Sequence, residues 1–136
     1  MITNYLANQF LNELCGRSSV NFGSSAYVGL STTAPTITGT NVTEPSGNGY
    51  ARVLIGTQST TVTYKMAAAA NGTITNNQII YFPEATGNWG TCTHFCIFSA
   101  VTGGNLLAYG ELETSITPAA NTVPLVRVGE LDISLT

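Results

Sequence analysis

The sequence has 136 residues, which is enough for one domain with its own hydrophobic core. Only 8% of the residues are charged and the formal net charge is −3, so its few cations cannot neutralise a phosphate backbone and no nucleic-acid partner is expected. No apolar run approaches the roughly 20 residues of a membrane-spanning helix. Because the first residues lack the basic start of a signal peptide, we expect a protein made in the cytoplasm, without contact to a membrane.

The first residues are predicted to form the one helix of the chain. Apolar residues recur there at a spacing of four, and two more widen the stripe: Ile2, Leu6, Phe10 and Leu14, with Ala7 and Leu11. Thr3 or Asn4 can cap the start, and Gly16 stands where a residue in the left-handed conformation ends a helix. Two interpretations are open. The helix, over 1–16, packs on its own sheet, or it forms an arm that packs on a neighbouring subunit.

From residue 26 onward, apolar and polar residues alternate, which indicates strands. Strands are predicted over 26–31, 50–55, 78–82, 91–99, 106–112, 123–128 and 130–135, with a polar segment 60–65 after the second. Segment 36–49 is rich in Gly, Thr, Asn and Pro and is expected to be a loop, and 102–105 carries the turn residues of a hairpin. About eight short strands predict an all-β fold, an antiparallel β-sandwich or jelly-roll-like barrel with one N-terminal α-helix. A single domain over 1–136 is expected, with strands between 26 and 135.

The cysteines and the histidine raise the question of a metal site. Three cysteines make an odd number, and Cys92 and Cys96 in one strand would have Cα atoms roughly 13 Å apart, so free thiols are expected. Alternation places Cys92, His94 and Cys96 on one face, and thiolates and imidazole are zinc ligands. The sulfurs are too far apart to share one tetrahedral ion, and a fourth ligand is missing nearby. The preferred interpretation is two buried thiols around a histidine that is hydrogen-bonded or faces a subunit, with no metal bound.

Catalysis needs ionisable groups that converge, and the sequence offers few of them. His94 is the only histidine and Asp132 the only aspartate, and no serine lies in a nucleophile-elbow pattern. Further carboxylates are dispersed along the chain: Glu44, Glu84, Glu111, Glu113 and Glu130. We therefore expect no enzyme activity, no catalytic residue and no cofactor.

The Gly47-Asn48-Gly49 segment shares only its glycines with a phosphate-binding loop, because a strand follows it and the lysine is missing. It is interpreted as a turn that sets the direction in which Tyr50 enters its strand. Arg52 is expected to be an ion-pair partner, or the anchor of an interface in a chain with so few charges.

Several motifs in chain order carry a resemblance to a known family. They are Tyr27-Val28-Gly29-Leu30-Ser31-Thr32-x-x-Pro35, Gly47-x-Gly49-Tyr50-Ala51-Arg52, Ile80-x-Phe82-Pro83-x-Ala85-x-x-x-Trp89-Gly90-Thr91-x-Thr93-His94-x-x-Ile97, Ala100-x-Thr102-Gly103-Gly104-Asn105-Leu106-Leu107-x-Tyr109-Gly110 and Gly129-x-Leu131. With these motifs the chain resembles small bacteriophage virion proteins described as tail-fibre, minor tail or head decoration proteins. The resemblance covers nearly the whole chain and implies no catalytic residue. It departs at Cys92 and Cys96, where an aliphatic and a small residue are expected.

The resemblance implies a structural protein of a virion, assembled in the host cytoplasm. Because one domain without heptads leaves no room for both a shaft and a tip, the leading hypothesis is a capsid cement, or decoration, protein. It would bind the major capsid protein and other copies of itself, as a homotrimer. The alternatives are a tail, baseplate or tail-fibre component, which would bind other tail proteins, and a carbohydrate-binding adhesin domain. The last would need exposed aromatic residues, for which the candidates are Tyr64, Tyr81, Trp89 and Tyr109.

Overall fold

The computed structural model describes residues 1–19, 25–57 and 64–135. Within these ranges one helix, α1 (Asn4–Leu14), is followed by eight strands. The strands are β1 (Ser25–Ser31), β2 (Val53–Thr57), β3 (Thr73–Thr75), β4 (Ile80–Tyr81), β5 (Cys92–Phe98), β6 (Leu106–Ile116), β7 (Leu125–Val126) and β8 (Asp132–Ser134). Most of the predicted polar segment 60–65 lies outside the described residues.

Helix α1 begins and ends as its cap residues predict. The Thr3 side chain accepts a hydrogen bond from the Leu6 N–H, and its hydroxyl donates to the Leu106 carbonyl of β6 at 2.7 Å, which ties the helix to the sheet. Gly16 follows the helix with a φ of 71°. Among the described residues, no helix is long and apolar enough to cross a membrane.

Only the first half of the apolar stripe of α1 is buried. Leu6 packs in the core, whereas Leu11 is 58% exposed and Leu14 is 80% exposed. The interpretation that the helix packs on its own sheet therefore holds for its first turns, and the second half presents apolar side chains to solvent.

Four strands form the largest sheet, in the order β2-β1-β5-β6, with all neighbours antiparallel. The predicted hairpin is confirmed, because β5 and β6 pair from Phe98 opposite Leu106 onward. Gly103 and Gly104 in the turn between them have φ angles of 61° and 70°, a conformation that glycine adopts without strain.

Two ribbons of two strands each, β3–β8 and β4–β7, complete the described sheets. The predicted antiparallel, mostly β fold with one N-terminal helix is confirmed. The four-stranded sheet ends at β2 and β6, so within the described ranges the strands form no closed barrel. Strand β3 is absent from the predicted strands because its three residues are too few to show an alternation.

One face of the four-stranded sheet, called the inner face here, carries the main hydrophobic core. Leu30, Phe95 and Leu107 of the sheet pack there in one cluster with Ile80 of β4 and Val126 of β7. The β4–β7 ribbon thus shares the core of the inner face.

The opposite, outer face of the sheet carries a smaller buried cluster. It consists of Cys96, Phe98 and Leu106, against which Val42 and Tyr109 pack. Val42 belongs to the predicted loop 36–49, so an irregular segment, and not a second sheet, covers this part of the outer face.

The predicted placement of Cys92 on the same face as Cys96 is wrong. The pairing of β5 with β6 shifts its register between Cys92 and His94, and an irregularity of this kind changes which side the residues before it face. Cys92 accordingly lies in the inner cluster with Phe95, while Cys96 lies in the outer cluster.

Candidate functional site

Three side chains meet over the outer face of the four-stranded sheet: Glu44, Tyr50 and Arg52. They are called the Arg52 clamp below. The segment that carries them, 32–52, is fastened at its start, because the Thr32 N–H donates to the Thr43 carbonyl at 2.9 Å and the Thr43 N–H donates to the Ser31 hydroxyl at 3.0 Å.

Arg52 forms the centre of the clamp. Its Nε and Nη2 donate to the two carboxylate oxygens of Glu44 at 2.9 and 2.8 Å, which makes a bidentate ion pair. Its Nη1 donates to the carbonyls of Ala100 and Gly103, both at 2.8 Å, beside the β5–β6 turn. The guanidinium carbon lies 3.4 Å from the centre of the Phe98 ring. The predicted ion pair of Arg52 is therefore confirmed, and its side chain is only 8% exposed.

Tyr50 links the clamp to the central strand β1. Its hydroxyl donates to Glu44 Oε1 at 2.6 Å and accepts a hydrogen bond from the Leu30 N–H at 3.0 Å. A Cβ atom at Gly29 would lie 2.7 Å from that hydroxyl and 2.9 Å from Glu44 Oε1. Gly29 thus leaves the space on β1 that the clamp occupies.

The clamp fixes the protonation states of Glu44 and Tyr50 at neutral pH. Burial by itself would raise the pKa of Glu44, but the hydrogen bonds from Arg52 and Tyr50 outweigh it, and the pKa lies below its usual range. Burial and the hydrogen bond to Glu44 raise the pKa of Tyr50 far above its usual range. Glu44 is therefore a carboxylate and Tyr50 a neutral phenol, an arrangement that joins segments of the chain and is not poised for proton transfer.

The Gly47-Asn48-Gly49 turn docks a tryptophan beside the clamp. As predicted, the turn sets the entry of Tyr50, whose N–H donates to the Gly47 carbonyl at 3.0 Å. Trp89 Nε1 donates to the Asn48 carbonyl at 2.8 Å, and the Trp89 ring meets the Tyr50 ring edge to face with their centres 5.2 Å apart. Since Trp89 is only 5% exposed, it is not available to stack on a sugar.

The other aromatic residues named for a glycan site do not form a platform with Trp89. Tyr64 and Tyr81 are exposed, and Tyr109 is half-buried beside the outer cluster. Tyr81 lies in the β4–β7 ribbon, opposite Leu125. The candidates are therefore distributed over separate elements.

A serine, the histidine and a carboxylate lie in one row across three strands. The register pairs Ser31 of β1 with His94 of β5, and His94 with Glu111 of β6. The Ser31 hydroxyl is fully buried, donates to the Thr33 carbonyl at 2.7 Å and accepts the Thr43 N–H, so it fastens segment 32–52. This row therefore lacks an accessible nucleophile.

Asp132, the other residue considered for catalysis, lies in β8 of a separate ribbon. Its carboxylate accepts a hydrogen bond from the Thr75 hydroxyl of the partner strand β3. The structure thus places Asp132 and His94 in different sheets.

His94 is hydrogen-bonded within the chain, since its Nδ1 and the Thr93 hydroxyl oxygen lie 2.7 Å apart. Across residues 1–19, 25–57 and 64–135, no three His, Cys, Asp or Glu side chains are grouped to hold a metal ion. Cys15 is an exposed free thiol, and Cys92 and Cys96 are buried free thiols.

The sequence was compared with models of known protein families. The family described as podophage GP4 fiber I protein gp80 matches residues 1–134. The chain belongs to this family. No curated protein matches the sequence closely enough to add a relative.

Membership of the fiber I family makes the protein a structural component of a bacteriophage virion, as the resemblance predicts. The motifs that carried the resemblance also build the clamp. Gly29 lies in the first of them, and Tyr50 and Arg52 close the second. Glu44 is the member of the clamp that sequence reasoning did not single out as a partner, because it lies in an irregular loop without periodicity.

The three thiols of this fiber I family member should differ sharply in reactivity. Burial raises the pKa of the Cys92 thiol to about 11, and burial together with the Glu44 carboxylate raises that of Cys96 to about 12. Because the thiolate is the reactive form, iodoacetamide at neutral pH should label Cys15 at least about a hundredfold faster than either buried thiol. Mass spectrometry should find one label on the native protein and three after unfolding in urea. A second label on the native protein, or a native label on a Cys15→Ser variant, would contradict the expectation.

Proposed function

We propose that the protein is a component of a podophage tail fibre. The single observation that carries the proposal is the match of the fiber I family over residues 1–134. It favours the tail and fibre alternative over the capsid decoration hypothesis, which was based on the short length of the chain. The clamp supports a mechanical role, because the charged groups of Glu44 and Arg52 are engaged in contacts within the protein.

The position in the virion is tested by comparing complete phage with tailless heads of the same phage. Quantitative mass spectrometry should find the protein in complete virions and lose it in tailless heads, while the major capsid protein stays constant in both. Tailless heads that keep the protein at the same ratio to the capsid protein would support decoration of the capsid instead.

The protein is proposed to act without catalysis. Support comes from the Ser31 hydroxyl, which is buried and engaged, and from the separation of His94 and Asp132 into different sheets. Phage that carry His94→Gln should assemble and infect as the parent does. The proposal would be contradicted if the variant phage formed normal particles that no longer infect because they fail to degrade a surface polymer.

We further propose that the protein associates with copies of itself, with the homotrimer as the favoured state. After synthesis in the host cytoplasm it would attach to other tail proteins. The support for self-association is the second half of α1, where Leu11 and Leu14 are exposed close to the similarly exposed Leu135. Exposed apolar side chains grouped in this way are typical of contact surfaces. In a homo-oligomer, another copy of the chain would cover them.

Two charges on this surface should therefore reduce self-association without unfolding the sheet. The double variant Leu11→Glu and Leu14→Glu should shift the protein from oligomer to monomer at micromolar concentration, measured by light scattering, with little change in melting temperature. Asn8→Glu adds one charge to an exposed position of the same helix outside this surface and is the control, which should remain oligomeric. Wild-type protein that is already monomeric at this concentration would exclude the trimer as its state in solution.

A further inference from the structure

The sequence contains two Asn-Gly dipeptides, Asn48-Gly49 and Asn71-Gly72. Asparagine is thermolabile when the backbone nitrogen of the next residue attacks its side-chain carbonyl carbon. That attack expels ammonia and closes a succinimide, which water then opens to aspartate or isoaspartate, so no other reactant is required. Glycine as the next residue places no side chain in the way of the attack. The structure distinguishes the two dipeptides by how firmly each is held.

Asn48 is fixed on three sides. Its carbonyl accepts hydrogen bonds from Trp89 Nε1 at 2.8 Å and the Thr86 N–H at 3.0 Å, and its side-chain amide donates to the Asn88 carbonyl at 3.0 Å. A Cβ atom on Gly49 would lie 2.6 Å from the Glu84 carbonyl oxygen, so the glycine backbone is packed closely as well. To bring the Gly49 nitrogen onto the Asn48 side-chain carbonyl carbon, the Asn48 backbone must rotate and give up the hydrogen bonds of its carbonyl, including the one from the buried Trp89.

Asn71 lies at the tip of an exposed two-residue turn. Ala70 and Thr73 exchange two backbone hydrogen bonds of 2.9 and 3.0 Å, and Asn71 and Gly72 between them have φ angles of 53° and 75°. Both residues of the dipeptide are exposed, and among the described residues no hydrogen bond holds the Asn71 side chain. Opening this turn breaks these two bonds and the bond of 2.9 Å from the Leu135 N–H to the Gly72 carbonyl, and it disturbs no buried side chain.

We propose that Asn71 is a site of spontaneous deamidation, while Asn48 is protected in the folded protein. The free energy of the local opening that exposes each dipeptide separates them. The turn at 70–73 opens by breaking backbone bonds among residues that are not buried, whereas the turn at 47–49 opens only with loss of the hydrogen bond from the buried Trp89. The product at position 71 carries a new negative charge. Its isoaspartate form adds one backbone atom to a two-residue turn, directly before β3 pairs with β8.

The test is peptide mapping of the native protein during storage in warm, mildly alkaline buffer, with isoaspartate and aspartate quantified at both sites. The rate at Asn71 should exceed the rate at Asn48 by about tenfold or more. Protein unfolded in urea is the reference, and there the two dipeptides should react at similar rates, because both are followed by glycine. The proposal would be overturned if the two sites reacted at equal rates in the native protein, or if Asn48 reacted faster. It would also be overturned if folding slowed the reaction at Asn71 as much as it slows the reaction at Asn48, each compared with the unfolded chain.

Discussion

Replacing Arg52 with methionine should lower the free energy of unfolding by about 3 kcal/mol, since removal of one partner leaves a partly buried charge uncompensated. Methionine keeps most of the volume of the side chain, so the loss reports on the hydrogen bonds and the ion pair. Glu44 would remain beside Tyr50 without its counter-charge, and the carbonyls of Ala100 and Gly103 would lose their donor. The measurement is the urea unfolding transition, with the slope checked to be unchanged.

The matched control for Arg52→Met is Arg127→Met, because Arg127 is exposed, and its loss should cost no more than about 0.5 kcal/mol. Adding Glu44→Gln to Arg52→Met should recover part of the loss. An Arg52 variant as stable as the Arg127 control would show that the clamp does not stabilise the fold.

The effect of Arg52→Met should also depend on pH. The folded protein lowers the pKa of Glu44, so the stabilisation is fully present above the pKa of this group in the unfolded chain and is lost as the pH falls through the lower folded value. Wild type and variant should therefore become more alike in stability under acid conditions.

Asn76→Asp should lower the free energy of unfolding by about 4 kcal/mol, although the two side chains have nearly the same shape. The Asn76 amide is buried and makes four hydrogen bonds. Its Nδ2 donates to the carbonyls of Gln78 and Arg127, both at 2.9 Å, and its Oδ1 accepts the N–H groups of Gly129 and Leu131 at 3.1 and 3.0 Å. A carboxylate would retain the second pair and face the first two carbonyls with a negative charge and no donor.

Asn77→Asp is the control for Asn76→Asp, because it introduces the same charge at the next residue, which is exposed. Its unfolding free energy in urea should stay within about 0.5 kcal/mol of wild type. If both variants lost equal stability, the added charge in this region, and not the buried amide, would be the cause.

Local signals in the sequence predict some elements well. The caps at Thr3 and Gly16 define α1 to within a residue or two, and Gly103-Gly104 predicts the β5–β6 hairpin. These features depend on backbone conformations that only a few residue types favour, so they can be recognised without knowledge of the rest of the fold.

Features that depend on distant partners could not be predicted in this way. The strand predicted from Tyr50 starts only at Val53, because Tyr50 reaches β1 through its hydroxyl and not through its backbone. The side on which Cys92 lies depends on an irregularity in the pairing with β6, which no spacing within β5 reveals. Three of the four bonds of Asn76 likewise join it to groups of Arg127, Gly129 and Leu131, which are neighbours only after folding.

The clamp also has a consequence for the order of events in folding. Two of the acceptors of Arg52, the carbonyls of Ala100 and Gly103, are brought into place by the β5–β6 turn and lie about 50 positions further along the chain. Because both carbonyls are positioned by that hairpin, we expect segment 32–52 to close over the sheet after the hairpin and after the transition state of folding. Interactions that form after the transition state mainly slow unfolding. Arg52→Met should therefore accelerate unfolding in stopped-flow experiments and leave the refolding rate nearly unchanged, which makes the clamp a determinant of how long each folded copy lasts.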